Sequence, residues 1–209
     1  MVILIPIAIS LIPGFIALLL ISRKSFTLWL IALLGGGGWL VALMLRLPIL
    51  SLLTQSPYYI LIASLMAGVF EECIRFLILR LGIISKFSLR GFTSLGLGWG
   101  LTEALLIYAV PVYVSSMIFN YYGLLDLLPG ALERNSAIII HLSLTLLMSL
   151  RIGSIKLLIL AVILHSLINY LAVSSLILLD NVWYVEGIIA LISLSIFIPI
   201  LHLRLKQHQ

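Results

Sequence analysis

Residues 57–82, PYYILIASLMAGVFEECIRFLILRLG, form an apolar segment long enough to cross a bilayer, yet they carry two adjacent carboxylates, Glu71 and Glu72. Arg75 follows about one helical turn later. Charged side chains in such a segment are costly unless other groups hold them there, so they mark a functional site. The segment therefore predicts a membrane-spanning helix with a site inside it.

The composition of the whole chain agrees with a membrane protein. Of the 209 residues, 63% are hydrophobic and 9% are charged, far from the roughly 25% charged residues of an average soluble domain. A single cysteine, Cys73, excludes both a disulfide framework and a cysteine-rich zinc site. We expect an all-α, polytopic transmembrane bundle in which residues 1–209 form one domain and the catalytic core spans about residues 57–178.

The apolar runs predict about seven membrane spans, because each span needs about 20 residues. Their approximate limits are 2–22, 27–46, 57–82, 91–119, 133–150, 155–178 and 183–204. Pro111 interrupts the fourth run and is expected to kink or end that helix. The alternative is an eighth, re-entrant piece around residues 111–125.

The distribution of cations predicts the orientation of the bundle. Nine cations fall in turns on one side, namely Arg23, Lys24, Arg80, Lys86, Arg90, Arg151, Lys156, Arg204 and Lys206. The opposite loops are expected to carry Arg46, Arg134, Asp126, Glu133, Asp180 and Glu186. The positive-inside rule therefore places the amino terminus outside and the carboxyl terminus inside. The net charge of +5 is explained by this anchoring, so no nucleic-acid partner is expected.

The polar residues of four predicted helices lie at one depth. At 1.5 Å rise per residue, Glu72, His141 and His165 lie roughly 14 Å from the cytoplasmic helix ends, and Glu103 roughly 18 Å. A lone intramembrane histidine is more often a packed helix contact than a ligand, but two at the same depth as the carboxylates indicate a shared site. This site is expected in the cytoplasmic half of the bilayer, in a cavity open to the cytoplasm.

Neighbouring residues support this cluster. Gly96 and Gly100 lie on the same helix face as Glu103 and allow another helix to approach it closely. Arg75 is expected at the edge of the site as the counter-ion of Glu71 or Glu72. Asn169, one turn after His165, can orient the imidazole or donate to an oxyanion.

Imidazole and carboxylate ligands with an open position for water are typical of catalytic zinc. We therefore expect a divalent metal, zinc by preference, with Glu72, Glu103, His141 and His165 as candidate ligands. A remaining carboxylate would deprotonate water, and Glu71 is favoured for this role. The sequence contains no HExxH motif, no intramembrane aspartate dyad and no GxSxG-like turn, which leaves glutamate and metal chemistry.

Four segments carry a family resemblance that covers about residues 65–170. They are EECIR (71–75), GLGWGLTE (96–103), LERNSAIIIHLSLT (132–145) and HSLIN (165–169). In order and spacing they resemble the YhfC-like membrane peptidases, a group similar to PrsW and to the CPBP family, which includes the type II CAAX prenyl proteases. The second motif of CAAX proteases ends in His, whereas Glu103 stands here as in the PrsW and YhfC branches.

The resemblance implies an intramembrane endopeptidase that cuts a membrane protein or a lipid-anchored peptide. By this resemblance, Glu71 or Glu72 would activate water. His141 and His165 would assist that step or bind a metal, and Asn169 would stabilise the oxyanion. Two other classes stay open on the residues alone. Buried Glu, His and Arg also suit a proton-coupled transporter, although no inverted repeat is evident. A non-catalytic membrane scaffold subunit is the third class.

Overall fold

The computed structural model describes residues 3–119 and 123–207, which form helices joined by short connections, with no strand among them. The helices are α1 Leu4–Ser22, α2 Phe26–Leu52, α3 Tyr59–Leu79, α4 Gly82–Ser85, α5 Ser88–Glu103, a π-helical segment Ala104–Ala109, α6 Val110–Phe119, α7 Leu124–Ser149, α8 Ile155–Leu179 and α9 Val182–Lys206. The expected all-α fold is confirmed for this part of the chain.

In the described part of the chain, five helical segments are long and apolar enough to cross a membrane. They are Leu4–Ser22, Phe26–Leu52, Leu89–Ile118, Ile155–Leu179 and Val182–Lys206. The helices α3 and α7 are of similar length but more polar, because they carry most of the charged residues described below. The count of seven spans and the orientation of the bundle stay predictions.

Two helices extend beyond their predicted limits and absorb residues that were expected in loops. Helix α2 continues to Leu52, which places Arg46 inside it. Helix α7 begins at Leu124, where the Asp126 carboxylate accepts a hydrogen bond from the Gly123 N–H at 3.1 Å, so the first turn is capped.

The predicted loop positions of several charged residues are therefore wrong. Asp126, Glu133 and Arg134 lie in α7, and Glu186 lies in the second turn of α9. Only Asp180 follows the prediction, between α8 and α9. The polarity of these positions suggested loops, whereas in the fold most of these side chains find partners in the bundle.

Pro111 does not end its helix. The chain passes from α5 through the π-helical segment into α6, and Pro111 is the second residue of α6. Because proline has no N–H, the carbonyl one turn earlier loses its usual partner, and the wider π-helical turn lies at that point. The predicted re-entrant alternative includes residues 120–122, which lie outside the described residues.

The core lies where α2, α3, α5, α7 and α8 meet, and α9 packs against α7. Buried side chains such as Leu28, Phe76, Leu95 and Leu144 fill it. Many large apolar side chains face outward, and Leu52 and Leu178 are 84% and 79% exposed. An outer surface of this kind is matched by hydrocarbon rather than by water.

The close approach of α2 and α5 depends on glycine. A Cβ atom at Gly98 would clash with the carbonyl oxygen of Ala32, and one at Gly35 would clash with that of Leu95. Close packing through small residues is common between membrane helices. The expected role of the Gly35–Gly38 run in packing holds for Gly35, Gly36 and Gly38, whereas Gly37 has open space around it.

This contrast yields a matched test. Gly98→Ala should lower the stability of the folded chain by about 1–3 kcal/mol, because backbone atoms of α2 must move to admit the methyl group. Gly37→Ala should leave stability unchanged or raise it by up to about 1 kcal/mol through helix propensity. Thermal unfolding in detergent measures both variants. Equal midpoints would contradict the glycine-dependent contact.

Candidate metal centre

Four helices bring the polar cluster together. Helix α3 supplies Glu71 and Glu72, α5 ends at Glu103, α7 carries His141, and α8 carries His165. Both histidines and the two adjacent glutamates are buried. The structure thus joins, in one place, the five residues that the sequence placed at a common depth.

Glu72 lies at the base of the cluster and is fully buried. Nη1 of Arg75 donates to both of its carboxylate oxygens at 2.6 Å. His165 donates from Nδ1 to Oε1 of Glu72, also at 2.6 Å. A carboxylate behind an imidazole N–H fixes the ring and its tautomer, which leaves the Nε2 lone pair of His165 for another partner.

Arg75 is central to the cluster rather than at its edge. Besides Glu72, it contacts Nδ1 of His141 through Nη2 at 2.9 Å. Its guanidinium stacks 4.3 Å from the centroid of the Trp99 ring. Between the two expected partners, the structure selects Glu72. Arg75 therefore positions the two imidazoles by holding one directly and the other through a carboxylate.

Glu103 accepts a hydrogen bond from the His141 imidazole, as Glu72 does from that of His165. Because a guanidinium has only donors, Nδ1 of His141 accepts from Arg75, and Nε2 carries the hydrogen toward Glu103 Oε2 at 2.5 Å. Trp39 donates to the same oxygen at 3.1 Å, and Arg134 donates to Oε1 at 2.9 Å. Glu103 thus accepts three hydrogen bonds.

The glycines next to Glu103 make this contact possible. A Cβ atom at Gly100 would lie 2.7 Å from the Cα of Ile138, and one at Gly96 would lie 2.9 Å from the Cα of Leu142. Both neighbours belong to α7, on either side of His141. The predicted close approach of another helix at these glycines is confirmed.

Glu71 has the lightest hydrogen-bonding load of the three carboxylates. Arg46 donates to Oε1 at 2.7 Å and Trp99 donates through Nε1 to Oε2 at 3.0 Å. Each carboxylate oxygen can accept two hydrogen bonds, so about half of the acceptor capacity of Glu71 is unused. This capacity distinguishes Glu71 from Glu72 and Glu103, each of which makes three contacts to donors.

Among the described residues, Glu71, His141 and His165 form a group with metal-ligand character. Each offers one ligand atom, and these atoms lie within 4.8 Å of one another. The two imidazole rings pack edge to face with their centroids 5.3 Å apart. The predicted ligands Glu72 and Glu103 lie behind the two histidines as hydrogen-bond partners.

The residues present fit a divalent ion. Two imidazoles and one carboxylate are a common donor set for transition metals, and each ring has the outer carboxylate that metal-bound histidines usually show. The Nε2 lone pair of His165 faces no described hydrogen-bond donor. His141 would exchange its contact with Arg75 for the ion.

Asn169 lies beside the cluster on α8. It is half-buried and lines a small cavity of about 70 Å³ together with Glu103, His141 and His165. This is the position at the edge of the site that the sequence suggested.

A larger groove of about 390 Å³ lies beside the small cavity, between α2, α3, α7 and α8. Glu133, Arg134, Asn169 and Ala172 line both spaces. The groove runs toward the helix ends near Leu50 and Tyr59, beside the α2–α3 connection. In the predicted orientation this is the outer end of the bundle. The groove therefore lies toward the end opposite to the cytoplasmic side on which the cavity was expected to open.

Sequence reasoning missed four residues of the site, namely Trp39, Arg46, Trp99 and Arg134. The two arginines were assigned to loops because they stand at the ends of the predicted spans, whereas the observed helices α2 and α7 extend well beyond them. In the sequence the two tryptophans look like ordinary apolar residues. A buried indole N–H, however, requires a hydrogen-bond acceptor, and a nearby carboxylate supplies one. That requirement is the signal by which they can be found.

The chain is thus a helical membrane protein with a buried cluster of carboxylates and imidazoles that could hold a metal ion between its helices. The family model described as YhfC intramembrane metalloprotease matches residues 9–122, more than half of the chain, and the chain belongs to this family. No curated protein matches the chain. The match includes Glu71, Glu72 and Glu103 and ends before His141 and His165.

The buried ion pair yields a test of stability. Arg75→Gln should destabilise the fold by about 3–5 kcal/mol, because it leaves Glu72 charged and buried with one partner fewer. The double variant Glu72→Gln, Arg75→Gln should recover part of this loss, because no uncompensated charge remains. Thermal unfolding of the single and double variants measures the coupling. Additive losses would show that the pair does not act as a unit.

Proposed function

We propose that the chain is an intramembrane metallopeptidase that hydrolyses a peptide bond of a membrane protein or lipid-anchored peptide. The observation that carries the proposal is the group Glu71, His141 and His165, with ligand atoms within 4.8 Å inside the bundle. Membership of the metalloprotease family supports it. His141 and His165 would hold the ion beside Glu71, and zinc is the metal that we favour.

When bound, the ion supplies Lewis-acid chemistry, polarising a substrate carbonyl and water. Glu71 is the residue that we assign as proton acceptor for the attacking water, because its carboxylate has unused lone pairs. The same carboxyl group then returns the proton to the leaving amine as the peptide C–N bond breaks, which restores the Glu71 carboxylate. This assignment keeps the base that the sequence favoured.

Glu72 and Glu103 take orienting roles in this proposal. Each holds one imidazole from behind, and Arg75 connects Glu72 to His141. Arg75 is a positioning residue here, since its contacts are with these side chains and with the face of Trp99. Asn169 is the donor that we assign to the developing oxyanion, because its side chain lines the cavity beside both histidines.

Metal content tests the first part of the proposal. Protein purified without added metal should contain about one divalent ion per chain, and His165→Ala should lose it because a ligand is removed. His202→Ala is the matched control, since His202 is an exposed histidine near the end of α9. Elemental analysis measures all three proteins. Equal metal in His165→Ala and the parent would refute the site.

Turnover tests the second part. A substrate is first identified by mass spectrometry after proteoliposomes containing the chain are incubated with pooled single-span peptides. Glu71→Gln should then cut that substrate more than ~10²-fold more slowly, the effect expected for loss of a positioned general base. Its thermal stability should fall by less than that of Arg75→Gln, because the counter-ion left without a partner, Arg46, keeps 14% of its side-chain surface exposed.

Glu186→Gln is the control, because Glu186 is a carboxylate of α9 outside the cluster. It should cut the substrate at the parental rate. Parental turnover by both Glu71→Gln and Glu72→Gln would show that the paired carboxylates are structural, and the mechanism would be wrong.

A further inference from the structure

The groove beside the site indicates which substrates enter it. Resting on the function proposed above, we propose that Arg46 binds a carboxylate carried by an apolar peptide that lies in the groove. The carboxylate is either the free carboxyl terminus of the peptide or the side chain of an acidic residue. Arg46 would then be a specificity-determining residue.

The walls of the groove suit an apolar peptide. Leu43, Leu47 and Leu50 of α2 face Ile60, Ala63 and Ala67 of α3 across it. A volume of about 390 Å³ lies within the range of pockets that enclose small ligands. The groove also leads to the reacting groups, since Ala67 precedes Glu71 by one helical turn on the same face of α3.

Arg46 is the cation on the described walls of the groove that has unused hydrogen-bonding capacity. One of its N–H groups, on Nη1, donates to Glu71, and no other side-chain contact of Arg46 occurs among the described residues. A guanidinium has five N–H donors, and the Arg46 side chain keeps 14% of its surface exposed. The neighbouring leucines of α2 offer its remaining donors no acceptor.

Arg134, the other cation of the groove, differs in this respect. It donates through Nη1 to Glu103 and through Nε and Nη2 to Glu133, so all three of its nitrogens are engaged. The unused charge-assisted donors on the described walls of the groove therefore belong to Arg46. A carboxylate is the acceptor whose planar geometry matches a guanidinium best.

Binding of three fluorescent peptides tests the proposal. Each is an apolar Ala/Leu hexapeptide, and the three end in a free carboxylate, in a neutral amide, or in a glutamate with an amidated terminus. The full chain is placed in lipid nanodiscs with a chelator present, so that neither metal nor hydrolysis contributes. Fluorescence anisotropy gives the dissociation constant of each peptide.

In the parent protein, at least one carboxylate peptide should bind about tenfold or more tightly than the neutral amide, the effect of one charge-assisted hydrogen bond. The tighter of the two identifies the source, a terminal or a side-chain carboxylate. Arg46→Gln should abolish the preference, and Arg46→Lys should keep part of it, since a charge remains without the planar fork.

Arg151→Gln is the matched control, because Arg151 is exposed in the connection between α7 and α8, at the other end of the bundle. It should retain the full preference. Equal affinities for the three peptides in the parent would overturn the proposal without any variant, and so would a preference that survives in Arg46→Gln. Because these affinities need neither metal nor turnover, failure of the peptidase mechanism would leave them unchanged, and the two failures are distinguishable.

Discussion

The ion pair between Glu72 and Arg75 is the interaction on which the rest of the centre depends. Both side chains are fully buried, and Nη1 of Arg75 bridges the two carboxylate oxygens. Taking two charges out of water is expensive, so such a pair persists when further hydrogen bonds satisfy its remaining groups. Here two such bonds go to His165 and His141, while Nε of Arg75 has no partner among the described residues, so the pair that neutralises the buried charge also orients the two imidazoles.

The carboxylates Glu103 and Glu71 are likewise compensated by hydrogen bonds and ion pairs. Glu103 is held by Trp39, Arg134 and His141, and Glu71 is held by Arg46 and Trp99. Each of these two carboxylates is thereby compensated by a cation and by an indole N–H group from other helices. These contacts connect α2 to α3 and to α5, and the glycines of α2 and α5 let the helices approach closely enough for side chains of this length to meet.

Polarity separates the helices into two groups. Among the described residues, the five segments that are apolar enough to span a membrane form much of the outer surface, with many aliphatic side chains exposed. Helices α3 and α7 carry most of the ionic groups inside, and α2 and α5 add Arg46 and Glu103. A chain that must keep charges at membrane depth can do so only where protein surrounds them, and this arrangement supplies that surrounding.

The class of fold and the residues of the centre follow from local pattern. Apolar runs of membrane length predict helices, and the rarity of Glu and His in such runs draws attention to Glu71, Glu72, Glu103, His141 and His165. Which partner each residue takes does not follow, because a helix position defines a face and a depth but not the rotation of the neighbouring helix. The choice of Arg75 for Glu72, and of Arg46 for Glu71, arises only when α2, α3 and α5 pack together. The limits of α2 and α7 were underestimated for the same reason, since their charged residues are tolerated in a helix only through contacts made by other parts of the chain.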